Sequence, residues 1–232
     1  MATPWDIERA LRSVVGKITD RDYKQSLACF RFWSNIGQTY CQFPHHPRGP
    51  GYPKALSDHI LDAIWHNVTA TSIDPGCGKL VHPTAHLILR LARDVESDHL
   101  LAPHVDGLQA RLRTRILLLF FGNNLTLIQG EDDDPNDPKD FCAATNLIAH
   151  CVNLGHMEED AIRDHILQSL ITHPNLYNHQ ADGLIILFKL AGSAFEKYAD
   201  PSVVNRCFKL LKDYDCRDST KMELIEVRIP VQ

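Results

Sequence analysis

The sequence predicts an all-α protein, built of antiparallel helix pairs stacked as a short α-solenoid or an irregular helical bundle. Three observations carry this expectation. Apolar side chains recur at spacings of three and four through most of the chain, which marks one face of a helix. An apolar couple at 141–154 and 161–171 returns at 184–198 and 203–211, and a shift of 42 positions lays Ile148 on Leu190, Ala149 on Ala191, Ile162 on Val204 and Ile166 on Phe208. Such a period lies in the range of two-helix repeats. Finally, 44% apolar and 23% charged residues in a chain of 232 exclude disorder and supply enough apolar surface for a sizeable core.

The elements follow in order. Thr3-Pro4 opens the first helix, because threonine caps free amides and proline is tolerated at the first helical position. Ile7, Ala10, Leu11, Val14, Val15 and Ile18 form its inward face, and Gly16 with Thr19-Asp20 marks its end. A second helix over about 21–40 turns an aromatic stripe inward: Tyr23, Leu27, Phe30, Trp33, Ile36 and Tyr40. Asp20 and Asp22 stand at its start, where negative charge suits the positive end of the helix dipole. Residues 42–53 form a loop in which Pro44, Pro47, Pro50 and Pro53 recur every third position, the period of polyproline II. Helices then follow at 54–67, 83–95 and 104–121.

Residues 131–140 hold five aspartates and two prolines with no larger apolar side chain, so they read as a surface loop. The expectation is one helical domain over 1–232, with sub-halves 1–130 and 139–232 joined by this loop. The two repeated couples come next, the first closed at Gly155-His156 and the last helix restarted at Asp200-Pro201. At the end, Ile225, Val227, Ile229 and Val231 alternate with Glu226, Arg228 and Pro230, the period of an extended strand.

Charge and cysteine usage narrow the function classes. The net charge is −5, with residues 1–121 at +3 and residues 122–232 at −8. The acidic half disfavours a nucleic-acid backbone, and Arg111, Arg113 and Arg115 form too small a cluster to reverse that. The strongest apolar run, Ile116 to Phe121, is six residues long against the roughly 20 that cross a bilayer. Trp5, Asp6, Glu8 and Arg9 interrupt the place where a secretion signal would run. Seven cysteines without a CxxC pair fit reduced thiols, so the expected location is cytoplasmic or nuclear. Asn67-Val-Thr69 and Asn124-Leu-Thr126 match the glycosylation sequon and are taken as accidental.

Few residues suggest chemistry. Asp133, Asp134 and Asp137 spell DDxxD, whose carboxylates could collect magnesium. The motif resembles that of all-α terpene synthases and prenyltransferases, where clustered aspartates hold magnesium against a diphosphate. Pro135 and Pro138 break the helix wall which that family uses, and no second metal motif follows. His82 and His86 lack the glutamate of a zinc-protease helix, with Pro83 in its place, and Asp74-Pro-Gly-Cys-Gly-Lys79 lacks the leading glycine of a phosphate loop. No nucleophile elbow is present, and no base is placed beside Cys77.

The couples at 141–214 resemble HEAT and armadillo repeat proteins in length, pairing and apolar spacing. Membership would imply helix pairs stacked into a curved slab that binds another protein. The leading expectation is therefore a non-enzymatic scaffold or adaptor without cofactor, with membership of a larger complex as a further option. The candidate partner-binding residues are the proline edge, Pro44, Pro47 and Pro50, and the arginines Arg111 and Arg115. The alternative is a magnesium-dependent enzyme acting on a phosphorylated or diphosphate substrate through Asp133, Asp134 and Asp137.

Overall fold

A computed structural model of the chain describes residues 4–41, 56–69, 84–129, 138–157, 160–172 and 177–214. Among these residues the regular structure is entirely helical, as the periodicity predicts: α1 (Pro4–Gly16), α2 (Tyr23–Cys41), α3 (Leu56–Val68), α4 (Ala85–Glu96), a short 3-10 turn (Ala102–His104), α5 (Leu108–Gln129), α6 (Pro138–Asn153), α7 (Asp160–Leu170), α8 (Asn178–Tyr198) and α9 (Pro201–Asp213). None of the helices is long and apolar enough to cross a membrane among the described residues. The alternating segment at 225–231 lies outside them. The chain forms two compact units, Met1–Thr114 and Arg115–Gln232, which divide within α5.

In the N-terminal unit α1 and α2 form an antiparallel pair. A Cβ added at Gly37, near the end of α2, would meet Ile7 near the start of α1. Of the predicted α1 face, Ile7, Leu11, Val15 and Ile18 are in the core, while Ala10 and Val14 are half-buried at its edge. Helix α3 lies on α1 and runs the same way: Glu8 meets His59, and the Asn67 amide donates to the Arg12 carbonyl at 3.0 Å. Helix α4 lies on α2 in the same sense, Tyr23 reaching Asp94 at 2.6 Å and Arg31 pairing with Asp98 beyond the end of α4. First helix thus stacks on first, and second on second.

One prediction is changed here. Along α2 the buried positions are Tyr23, Phe30, Ser34 and Gly37, whereas Leu27, Trp33 and Ile36 are half-buried and Phe32 is 60% exposed. The cause is close approach: a Cβ at Gly37 would stand 3.1 Å from Leu56 and 3.3 Å from Ile7, so the helix seats its small residues there. That rotation carries part of the aromatic stripe outward. The Tyr40 side chain lies outside the described residues.

The C-terminal unit repeats the stacking. Helix α8 lies on α6, with Phe141 against Gly183 at one end and the Asn153 amide donating to the Leu190 carbonyl at 2.7 Å at the other. Helix α9 lies on α7, where Asp200 N–H donates to Asp164 at 2.8 Å and Arg206 donates to the Ile171 carbonyl at 3.1 Å. Both pairs run parallel, and α8 turns back into α9, with Phe188 and Phe208 rings 4.5 Å apart. Ala149, Ala191, Ile166 and Val204 are buried, but Ile148 is buried while Leu190 is 37% exposed. Leu190 precedes a kink in α8, where Ala191 leaves the helical region at φ −132° and ψ 18°.

The caps follow from local chemistry. Asp200 accepts the Ser202 N–H at 2.8 Å ahead of Pro201, as the sequence leads one to expect. At Gly155, φ is 75°; its N–H bonds the Val152 carbonyl, and the His156 N–H bonds the Cys151 carbonyl, which together close α6 in a Schellman motif. Several boundaries differ from expectation, among them the start of α8 at Asn178 rather than 184 and the start of α5 at Leu108 rather than 104. Helix α6 begins at Pro138, because a proline is preorganised for the first turn, so the last three residues of the acidic segment are helical. Helix α5 continues to Gln129 through Gly122, held by Asn124, whose amide donates to the Ser169 carbonyl at 3.1 Å.

Candidate functional site

The rotation of α2 creates the most distinctive surface of the N-terminal unit. Cys29 and Phe32 are exposed, Trp33 and Ile36 are half-buried, and these four follow one helical face. The Phe32 and Trp33 rings meet edge to face, with centroids 5.5 Å apart. The only charged residues within α2 are Lys24 and Arg31, one face two turns apart, and the helix contains no carboxylate.

On the other side of α2, where it faces α4, stand Arg90 and Arg93. Arg90 lies over the Tyr23 ring at 4.8 Å, and both arginines approach Asp94, at 3.6 and 3.7 Å. Burial and the hydrogen bond to Asp94 push the Tyr23 phenol well above its usual range, so it stays a donor. Asp98 is 6% exposed. Burial pushes its carboxyl up, but the Leu100 N–H and Arg31 prevail and hold it below its ordinary value. Both carboxylates are thus turned toward their partners.

Buried polar groups elsewhere are structural. Glu8 accepts from Arg12 at 2.6 Å and meets His59 Nδ1 at 3.2 Å, joining α1 to α3. In the C-terminal unit, His179 lies between Asn124 Oδ1 at 3.3 Å, the Phe141 ring, perpendicular to it at 5.1 Å, and the stacked Tyr177 ring at 5.8 Å. Burial pulls the His179 imidazole below its ordinary value, against the opposing charge of Asp182. Beside it, Gln180 is fully buried; its oxygen accepts the Tyr177 N–H, and its Nε2 has no hydrogen-bond partner.

The predicted site residues fare unevenly. Asp133, Asp134 and Asp137 lie outside the described residues, as do Pro44, Pro47, Pro50, Cys77 and His82. Arg111 is described: it forms an ion pair with Asp58 that joins α5 to α3 in the N-terminal unit. Arg115 is half-buried at the first position of the C-terminal unit, three residues ahead of Leu118, which is 69% exposed. His86 stands 3.9 Å from Asp20 at the surface. No group of three or more His, Cys, Asp or Glu among the described residues could hold a metal.

Two sequence readings gain a physical account. Asn67 and Asn124 are 7% and 5% exposed, and both side-chain amides already donate to backbone carbonyls, which leaves neither nitrogen open to glycosylation in the folded chain. Cys29, Cys142, Cys151 and Cys207 are free thiols. Burial pushes Cys151 and Cys207 up to about 12, so both are neutral packing groups rather than nucleophiles. The α2 surface escaped sequence reasoning because Phe32 is one residue away from an inward stripe. The available signal was the absence of any acidic residue across α2.

No protein-family model and no curated protein matches the chain.

Proposed function

We propose that this protein is a non-enzymatic α-helical scaffold that binds another protein. One observation carries the reading: a large aromatic side chain, Phe32, is 60% exposed on a helix face continued by Cys29, Trp33 and Ile36. Aromatic groups grouped on a surface mark interaction sites more often than isolated apolar residues do. The stacking of first helix on first and second on second in each unit supports it too, since the resemblance to HEAT and armadillo proteins implies that arrangement. Free thiols, including exposed Cys29, fit a reducing compartment, cytoplasmic or nuclear.

The test is affinity capture from the native cell with the full chain and with Phe32→Ser and Leu118→Ser variants of unchanged helicity. A defined set of proteins retained by the wild type and lost from at least one variant supports the scaffold. Identical retention by all three chains, or none above an unrelated helical control, overturns it.

A further inference from the structure

Independently of the scaffold reading, we infer that the end face of the α8/α9 pair is a docking surface for the chain's own residues 222–231. Helix α8 meets α6 at Gly183, and α9 meets α7 through Asp200 and Arg206. Helical rotation puts Ile185 and Lys189 on the opposite side of α8, and Asn205, Phe208 and Lys212 on the opposite side of α9, with Lys209 at its edge. Ile185 and Phe208 are half-buried, and the other four are exposed. A further helix pair would stack on this side, as α8 and α9 stack on α6 and α7. Three lysines argue against so broad a cover, because it would strip their ammonium groups of water. A narrow segment that covers Ile185 and Phe208 and leaves the lysines at its rim fits instead.

Chain order and charge order set the occupant. Residues 215–232 follow α9 and lie outside the described residues. Ile225, Val227, Ile229 and Val231 would share one side of an extended segment, and at roughly 3.3 Å per residue 225–231 reach about 20 Å. The 13 residues of α9 span about the same length at roughly 1.5 Å each. The Phe188 and Phe208 rings, 4.5 Å apart, fix the relative height of the two helices. Going back from Tyr214, the face therefore presents Asp182 and Asp213 first, then Lys212, Lys209 and Lys189, and finally Glu196. The chain beyond Tyr214 offers the opposite order: Arg217 and Lys221, then Glu223 and Glu226, then Arg228. Asp215 and Asp218 fall in the stretch that must reverse direction. An acidic peptide from elsewhere would match the lysines alone, whereas this segment matches all three zones.

The experiment is carbodiimide crosslinking of the full wild-type chain, which joins an ammonium directly to a carboxylate in contact with it, read by peptide mass spectrometry. Glu223 or Glu226 should link to Lys189, Lys209 or Lys212, and mixing isotopically light and heavy chains should show the links within one chain. The full-length double change Ile225→Asp, Val227→Asp should lower their yield about fivefold. It should also speed hydrogen exchange in α9 severalfold and leave α6 as it was. Circular dichroism checks that the helices persist.

No such links in the wild type, or links indifferent to the double change, overturn the proposal. Links found only between light and heavy chains overturn it in favour of a second copy. An unrelated peptide of equal acidic charge that competes as well as a peptide of residues 222–232 overturns it in favour of an acidic partner. Loss of cellular capture in Phe32→Ser or Leu118→Ser bears on the scaffold reading alone.

Discussion

Where α3 stacks on α1, the seam of the N-terminal unit is polar: Glu8 joins Arg12 to His59, and Asn67 holds the carbonyls of Arg12 and Ala63. Where α8 stacks on α6, the seam of the C-terminal unit is aromatic: Phe141 stacks on Phe120 at 5.4 Å, sits over Gly183 and meets the His179 ring at a near right angle. Both seams join parallel first helices. The difference teaches that each seam leaves room at a glycine, Gly16 in one unit and Gly183 in the other, for a side chain of the facing helix, an amide in the first and a ring in the second. A charged network keeps its register through directional bonds. An aromatic one keeps it through shape, and the two should fail differently.

The sharpest separation is expected from removing the filling. Phe141→Ala deletes a fully buried ring, and truncations of that kind cost about 3–5 kcal/mol. Glu8→Ala removes an acceptor from Arg12 and His59, for which about 1–3 kcal/mol is the usual scale. Urea unfolding of the two variants gives the ranking. A larger loss from Glu8→Ala would break the distinction between the seams.

The glycines offer a finer version of the same comparison. A Cβ at Gly183 would stand 2.9 Å from the Phe141 ring, which Phe120 backs, whereas a Cβ at Gly16 would stand 2.8 Å from the Asn67 amide oxygen, the end of a side chain that can turn. Alanine also adds helix propensity of about 1 kcal/mol at a helical site. Gly183→Ala should therefore destabilise by about 1–2 kcal/mol net, since overpacking a rigid core outweighs that gain. Gly16→Ala should stay below about 1 kcal/mol because the propensity gain offsets much of the strain. Equal losses in the two variants would show that the Asn67 amide is as rigid as the ring.

What could be read from the sequence divides along the same line. The helices, the Asp200-Pro201 start, the Gly155 stop and the stripe Ile7, Leu11, Val15 and Ile18 were legible, because each depends on residues within a turn or two. The rotation of α2 was not, because it is imposed by Leu56 and Ile7 closing on Gly37. Nor was the Glu8–His59 contact, whose partners stand 51 residues apart without a shared motif. The extension of α5 past Gly122 depends on Asn124 reaching a carbonyl 45 residues further on. Of the candidate site, the cations were visible as letters, but the engagement of Arg31 by Asp98 and of Tyr23 by Asp94 depends on contacts between separate segments of the chain.

Acid should probe the aromatic seam selectively. Burial holds His179 below its ordinary value of 6.5, so the unfolded chain binds more protons and stability falls as pH drops below about 6.5 toward the folded value. Asp98 in the other unit is held below 3.8, and its contribution is present above that value and lost as pH falls through the lower folded one. Hydrogen exchange between pH 7.5 and 5 should therefore show protection in α8 weakening through His179, and His179→Gln should flatten that dependence. An unchanged slope in His179→Gln would mean that the imidazole contributes nothing to the seam's pH response. Below pH 4, Arg31→Ala should weaken the acid sensitivity of α4 while leaving α8 as it was.

The smallest effect is expected at the kink of α8. Leaving the helical region at Ala191 exposes the Leu190 carbonyl, and Asn153 from α6 donates to it at 2.7 Å from a position open to solvent. Because water can take over an exposed carbonyl, Asn153→Ala should cost only about 0.5–1 kcal/mol in global stability. Its local consequence is more telling. If the side chain fixes the angle between the halves of α8, amides at 192–198 should exchange faster in Asn153→Ala, while those at 178–188, held by the Phe141 seam, should not change. If instead both halves respond alike, the kink is carried by the aromatic packing and the polar clamp is incidental. The C-terminal unit would then rest on shape at both ends of its seam, in full contrast to the bonded seam of the other.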